Sequence, residues 1–164
     1  MRSKASIKGH PIHAMLIPLP IGLLVGSLVA DLIYMADGSL FWYDMAWWMM
    51  AFGVISALVA AVPGLIDYNA TVKHDRKTRA IGLAHMIINL SVVGLYVLNL
   101  ALRYNQLAAS GPMFGATVAL SVIAILALGA SGWLGGELVY RFGVGMGGAE
   151  PRVTIAPETA EERA

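Results

Sequence analysis

His10 and His13 stand three residues apart, a spacing that puts both imidazoles on one face if a helix begins there. His85 lies far along the chain, about one turn inside an apolar stretch, and His74 lies in the charged loop before it. Asp67 and Glu137 border apolar stretches on the same predicted side. Imidazole nitrogens and carboxylate oxygens are the donor set for zinc, iron or copper, and imidazole is an axial ligand of b-type haem. The chain contains no cysteine, so thiolate sites, disulfides and a cysteine nucleophile are excluded.

Two cofactor chemistries suit this set. A b-type haem would take His13 and His85 as axial ligands, with His10 as the substitute. Asn89, Tyr140 and the glycines of the last apolar stretch would then line or make room for the macrocycle. A non-haem ion would take His10, His13 and His85, with Asp67 or Glu137 completing or orienting the shell. A third reading needs no cofactor: the same groups form a buried polar staple, and the protein is a membrane scaffold or interaction subunit. His74 sits in a solvated run of charge, Lys73 to Lys77, and is not assigned as a ligand.

These residues are positioned by four apolar stretches, near residues 14–36, 45–66, 80–102 and 113–134. Hydrophobic residues make up 58% of the 164 and charged residues 13%, and the mean hydropathy is +0.71. A soluble domain of this size has too little interior to hide so much apolar surface. Runs of about 20 residues match the hydrocarbon thickness of a bilayer. The expected fold is all-α, a polytopic membrane four-helix bundle. A basic arm, residues 1–9, is expected to be mobile, the four-span domain covers 10–148, and residues 149–164 form a disordered acidic tail.

Ten of the eleven Lys and Arg residues fall in the N-terminal arm, the loop between spans two and three, and the segment after span four. Arg103 alone falls in the loop between spans three and four, and the loop between spans one and two carries only Asp37 and Asp44. The positive-inside rule therefore places both termini in the cytoplasm of a cell whose inner membrane holds the protein. All four histidines then share the cytoplasmic side. The basic residues sit where topology requires them, so nucleic-acid binding is not expected. The first span is longer than a signal-peptide core and is broken by Pro18 and Pro20, so it is expected to be retained. Those prolines also predict a kink.

Span three carries a polar stripe. Asn89, Tyr96, Asn99 and Arg103 lie within about 40° of His85 on a helix at 100° per residue. Lipid does not solvate such groups, so this face turns into the bundle, either as interhelical glue or as a polar path. Asp31, near the outer end of span one, is a candidate partner for it. Trp42, Trp47 and Trp48 form an interfacial aromatic belt. Gly132 and Gly136 make a GxxxG pair that permits a homodimer. The glycine run 143–148 lacks the context of a phosphate loop and reads as a helix stop.

Several of these segments together resemble a known family. Gly9-His10-Pro11-Ile12-His13 leads into a proline-containing span, Pro63-Gly64-Leu65-Ile66-Asp67 closes span two, and His85 opens span three. Gly132-Trp133-Leu134-Gly135-Gly136-Glu137-Leu138-Val139-Tyr140, followed by Gly143-Val144-Gly145, closes span four. This set resembles the bacterial four-span membrane proteins called DUF2231, over roughly residues 9–146. The resemblance implies the fold and no particular reaction, and whether the protein is an enzyme stays open. Some members look fused to Rieske-type iron–sulfur domains, which implies redox work and a redox partner protein. Ala14 stands where many relatives carry proline, a departure that leaves the histidines untouched.

Overall fold

The computed structural model describes residues 1–71, 75–104 and 111–146. His74 and the acidic tail lie outside the described residues. Two short strands open the chain, β1 (Ser6–Ile7) and β2 (His10–Pro11), paired antiparallel. Lys8 and Gly9 between them have φ of 49° and 85°. Positive φ at both central residues is what a two-residue hairpin turn requires, and Gly9 adopts it without strain. The arm is therefore folded in the structure. Three hydrogen bonds to Asp67, described below, supply the reason.

Helix α1 (Ile12–Leu16) and helix α2 (Pro18–Asp37) form the first span, interrupted at Ile17. Pro18 and Pro20 occupy the first turn of α2, where a missing N–H costs little. They restart the helix instead of kinking its interior. Gly38, with φ of 70°, ends α2 in the left-handed conformation and donates its N–H to Tyr34 O at 2.8 Å. Helix α3 (Leu40–Thr71) contains Pro63. Helix α4 (Arg76–Arg103) is capped by Asp75, which accepts from the backbone of Lys77 and Thr78 and from the Thr78 hydroxyl. Helix α5 (Gly111–Gly136) runs on into a single π-helical turn, Glu137–Arg141.

Four helical segments, Ile12–Asp37, Leu40–Ala70, Arg76–Arg103 and Met113–Arg141, are each long and apolar enough to cross a membrane. Neighbours pack around a square, α2 on α3, α3 on α4, α4 on α5, and α5 back on α2. Leu24, Ala46, Met50, Val54, Val92, Tyr96 and Ala124 form the central core. Val29, Leu58, Val62, Leu126 and Trp133 point outward, as lipid-facing side chains must. The N-terminus meets the turn after α5 at one end of the bundle: Met1 N donates to Gly143 O at 2.5 Å, and Gly145 N donates to Met1 O at 2.8 Å.

Candidate functional site

The polar groups of the bundle separate into two centres with the apolar core between them. The first is built on His13 and His85, whose ring centroids lie 6.3 Å apart with the planes at 85°. His13 projects from α1 and its Nδ1 lies 2.7 Å from Ala60 O on α3. That carbonyl is three residues before Pro63, in the turn where proline removes a backbone donor. His85 projects from α4 and its Nδ1 lies 2.9 Å from Ser131 O on α5. A carbonyl only accepts, so each Nδ1 carries the proton and each Nε2 keeps its lone pair in the neutral ring.

Glycine packing fixes both rings. A Cβ at Gly64 would sit 2.9 Å from His13 Nδ1, and one at Gly135 would sit 3.2 Å from His85 Cε1. Each imidazole therefore rests against the backbone of a neighbouring helix. Asn89, one turn along α4, donates through Nδ2 to His85 O at 2.8 Å and to Ser131 Oγ at 2.6 Å. His85 Nε2 is a more distant neighbour of the same nitrogen, at 3.2 Å. The two amide hydrogens are used by the nearer oxygens, which leaves the His85 Nε2 lone pair without a strong donor.

The other anticipated residues are placed elsewhere. His10 is exposed on β2. Asp67 is buried and accepts from Ser3 Oγ at 2.6 Å, Lys4 N at 2.7 Å and Ala5 N at 3.0 Å. Glu137 pairs with Arg141 on its own turn at 3.2 Å. Among the described residues no three His, Asp or Glu side chains converge as metal ligands. The set His10, His13, His85, Asp67 and Glu137 is thus reduced to two imidazoles, because hydrogen bonds within the arm and the π-turn hold both carboxylates. Tyr140 is 87% exposed and lines nothing. Gly129 and Gly132 face open space, and only Gly135 makes room for a ligand candidate.

The second centre lies at the opposite end of the bundle. Arg103, expected in a loop, is the last residue of α4 and is buried. It donates to both carboxylate oxygens of Asp31, at 2.7 and 2.8 Å, to Asn99 Oδ1 at 2.7 Å and to Thr117 Oγ1 at 3.0 Å. Asn99 donates in turn to Thr117 O and Ser121 Oγ. The Tyr43 and Phe114 rings flank the guanidinium at 5.3 and 5.6 Å. Tyr96 anchors the middle of the stripe by donating to Leu24 O at 3.1 Å. The stripe on α4 is therefore two bonded clusters broken by Val92, with no continuous polar path among the described residues.

Sequence reasoning missed Ser3, Ala60, Gly64 and Ser131 as partners of the site. Backbone carbonyl acceptors leave no trace in residue type, although Pro63-Gly64 marked the turn that presents one.

No curated protein and no solved structure matches the chain. The family model described as predicted membrane protein (DUF2231) matches residues 9–148. That span holds the histidine pair, both glycines behind it and all four membrane-length helices, and the chain belongs to the DUF2231 family of multi-pass membrane proteins.

Proposed function

We propose that this is a metal-binding membrane protein in which His13 and His85 hold one transition-metal centre at the end of the bundle where the N-terminus meets the turn after α5. The observation that carries the reading is the anchoring of both Nδ1 atoms on backbone carbonyls. Ligating histidines characteristically donate their second ring nitrogen in this way, which fixes the tautomer and presents Nε2 to the metal. A ring separation of 6.3 Å is of the size spanned by two metal–nitrogen bonds of about 2.0 Å plus the two half-rings. Two imidazoles without a carboxylate favour a borderline or soft ion, copper before zinc.

A b-type haem is the second reading, favoured by the near-perpendicular pair of rings. Against it, the Asn89 amide lies 3.2 Å in front of His85 Nε2, where a macrocycle would have to pass. A bare ion needs only that amide to move aside. We further propose that this end faces the cytoplasm and that the membrane is the bacterial inner membrane, on the distribution of Lys and Arg.

The test is an absorption spectrum of the purified protein in mild detergent, oxidised and reduced, with elemental analysis of the same sample. One equivalent of metal in the native chain, lost in both His13→Ala and His85→Ala, supports the ion. A Soret band lost in both variants supports haem instead. Metal content unchanged by either substitution overturns both readings.

A further inference from the structure

We propose that the N-terminal arm is a latched lid over the histidine pair, and that opening the latch admits aqueous solutes to the imidazoles. The latch is Asp67. Its carboxylate gathers the Ser3 hydroxyl and two successive backbone N–H groups, Lys4 and Ala5, and Ser3, Ala5 and Asp67 are all buried. Asp67 lies three residues beyond Gly64, the glycine against which the His13 ring rests. The held segment thus lies about one helical turn beyond the site.

The lid has further fastenings. Ile12 N donates to Ala5 O at 2.9 Å, which ties the arm to the start of α1 directly before His13. The turn after α5 crosses the arm, where Gly145 N bonds Met1 O and the Gly145 backbone approaches Pro11. Gly143 and Gly145, with φ of 64° and 83°, give that turn its shape. Few apolar side chains contribute: Ile7 at the hairpin tip is 61% exposed. A segment held mainly by hydrogen bonds, three of them to the Asp67 carboxylate, with little apolar burial, belongs to the low-stability end of local opening. Helices α2 and α4, by contrast, carry buried side chains along their length.

The test uses the full chain and exploits its lack of cysteine. Ala5→Cys places a single thiol on the buried face of the lid itself. Its labelling by a water-soluble maleimide reports opening, and diethyl pyrocarbonate modification of His13 and His85 reports access to the site. Exposed His10 serves as the internal reference. Asp67→Ala removes three charge-assisted acceptor contacts, so both rates are expected to rise by about tenfold or more. Ser3→Ala removes one contact and is expected to raise both rates by a smaller common factor, which keeps the test available if Asp67→Ala fails to fold. A rise in thiol labelling with unchanged His13 and His85 modification would show an arm that covers nothing, and no rise in either rate would show that Asp67 is no latch. Either result overturns the proposal. The imidazole reagent needs no bound metal, so failure of the lid and failure of the metal reading are separable.

Discussion

The Asp31–Arg103 pair offers a sharp energetic test. Both side chains are sealed from solvent, and the contact is bidentate at 2.7 and 2.8 Å. Asp31→Leu leaves a buried guanidinium whose Nη1 has lost its carboxylate partner. Removing one member of such a pair is expected to cost about 3–5 kcal/mol. Arg103→Met leaves a buried carboxylate and also strips the donor from Asn99 Oδ1 and Thr117 Oγ1, so its cost is at least as large. The double variant Asp31→Leu/Arg103→Met has no stranded charge. It retains only the loss at Asn99 and Thr117, about 1–3 kcal/mol. The singles therefore sum to about 6–10 kcal/mol while the double costs far less, a coupling of several kcal/mol. Reversible unfolding in mixed micelles, followed by circular dichroism across the four variants, measures each term. Single substitutions costing under about 1 kcal/mol, or a double equal to the sum of its singles, would refute the claim that this pair is desolvated and mutually dependent.

Gly64→Ala places a methyl 2.9 Å from His13 Nδ1, so the ring must leave Ala60 O. A stability loss of about 1–3 kcal/mol is expected, together with weaker metal retention on dialysis. Gly135→Ala, at 3.2 Å from His85 Cε1, is expected to show the smaller effect in the same assays. Gly38→Ala forces a side chain into φ of 70° and is expected to cost about 1 kcal/mol, read from the same unfolding curves. Hydrogen bonds from the Thr78 hydroxyl and backbone hold the Asp75 carboxyl below its ordinary range. The α4 cap is then fully formed above the usual carboxylate pKa and lost as pH falls through the lowered one. Amide exchange of residues 76–80 is expected to stay slow at pH 5 and to quicken only in stronger acid. An onset at pH 6 would contradict this sign.

The four helices were legible because apolar runs of bilayer length have few other fates. Their ends were less so, because a cap is a single residue: Asp75 starts α4 several residues before the hydropathy limit, while Gly38 stops α2 close to it. The stripe on α4 was legible from its spacing, and so was the suggestion that Asp31 partners it. Arg103 was misjudged because charge at the end of an apolar run usually signals a loop. Its position four residues after Asn99 was the available sign of burial. The folded arm escaped notice because two-residue strands carry no periodicity. Its anchor, Asp67, was noticed only as a possible ligand. The separation of Asp67 from the histidines depends on tertiary contacts more than 60 residues apart in sequence, as with Ser3, whereas Glu137 is held locally by Arg141.

The layer of Leu24, Met50, Val54, Val92 and Ala124 acts electrically as an insulator. A membrane potential drops mainly across regions without mobile charge or water, so most of it falls across this layer. Moving one elementary charge through a 100 mV drop involves about 2.3 kcal/mol. A cation or proton arriving at His13 and His85 from the side where the N-terminus meets the turn after α5 crosses little of that field. Occupancy of the pair is then set by ion activity on that side alone, and the energised state of the membrane has little hold on it.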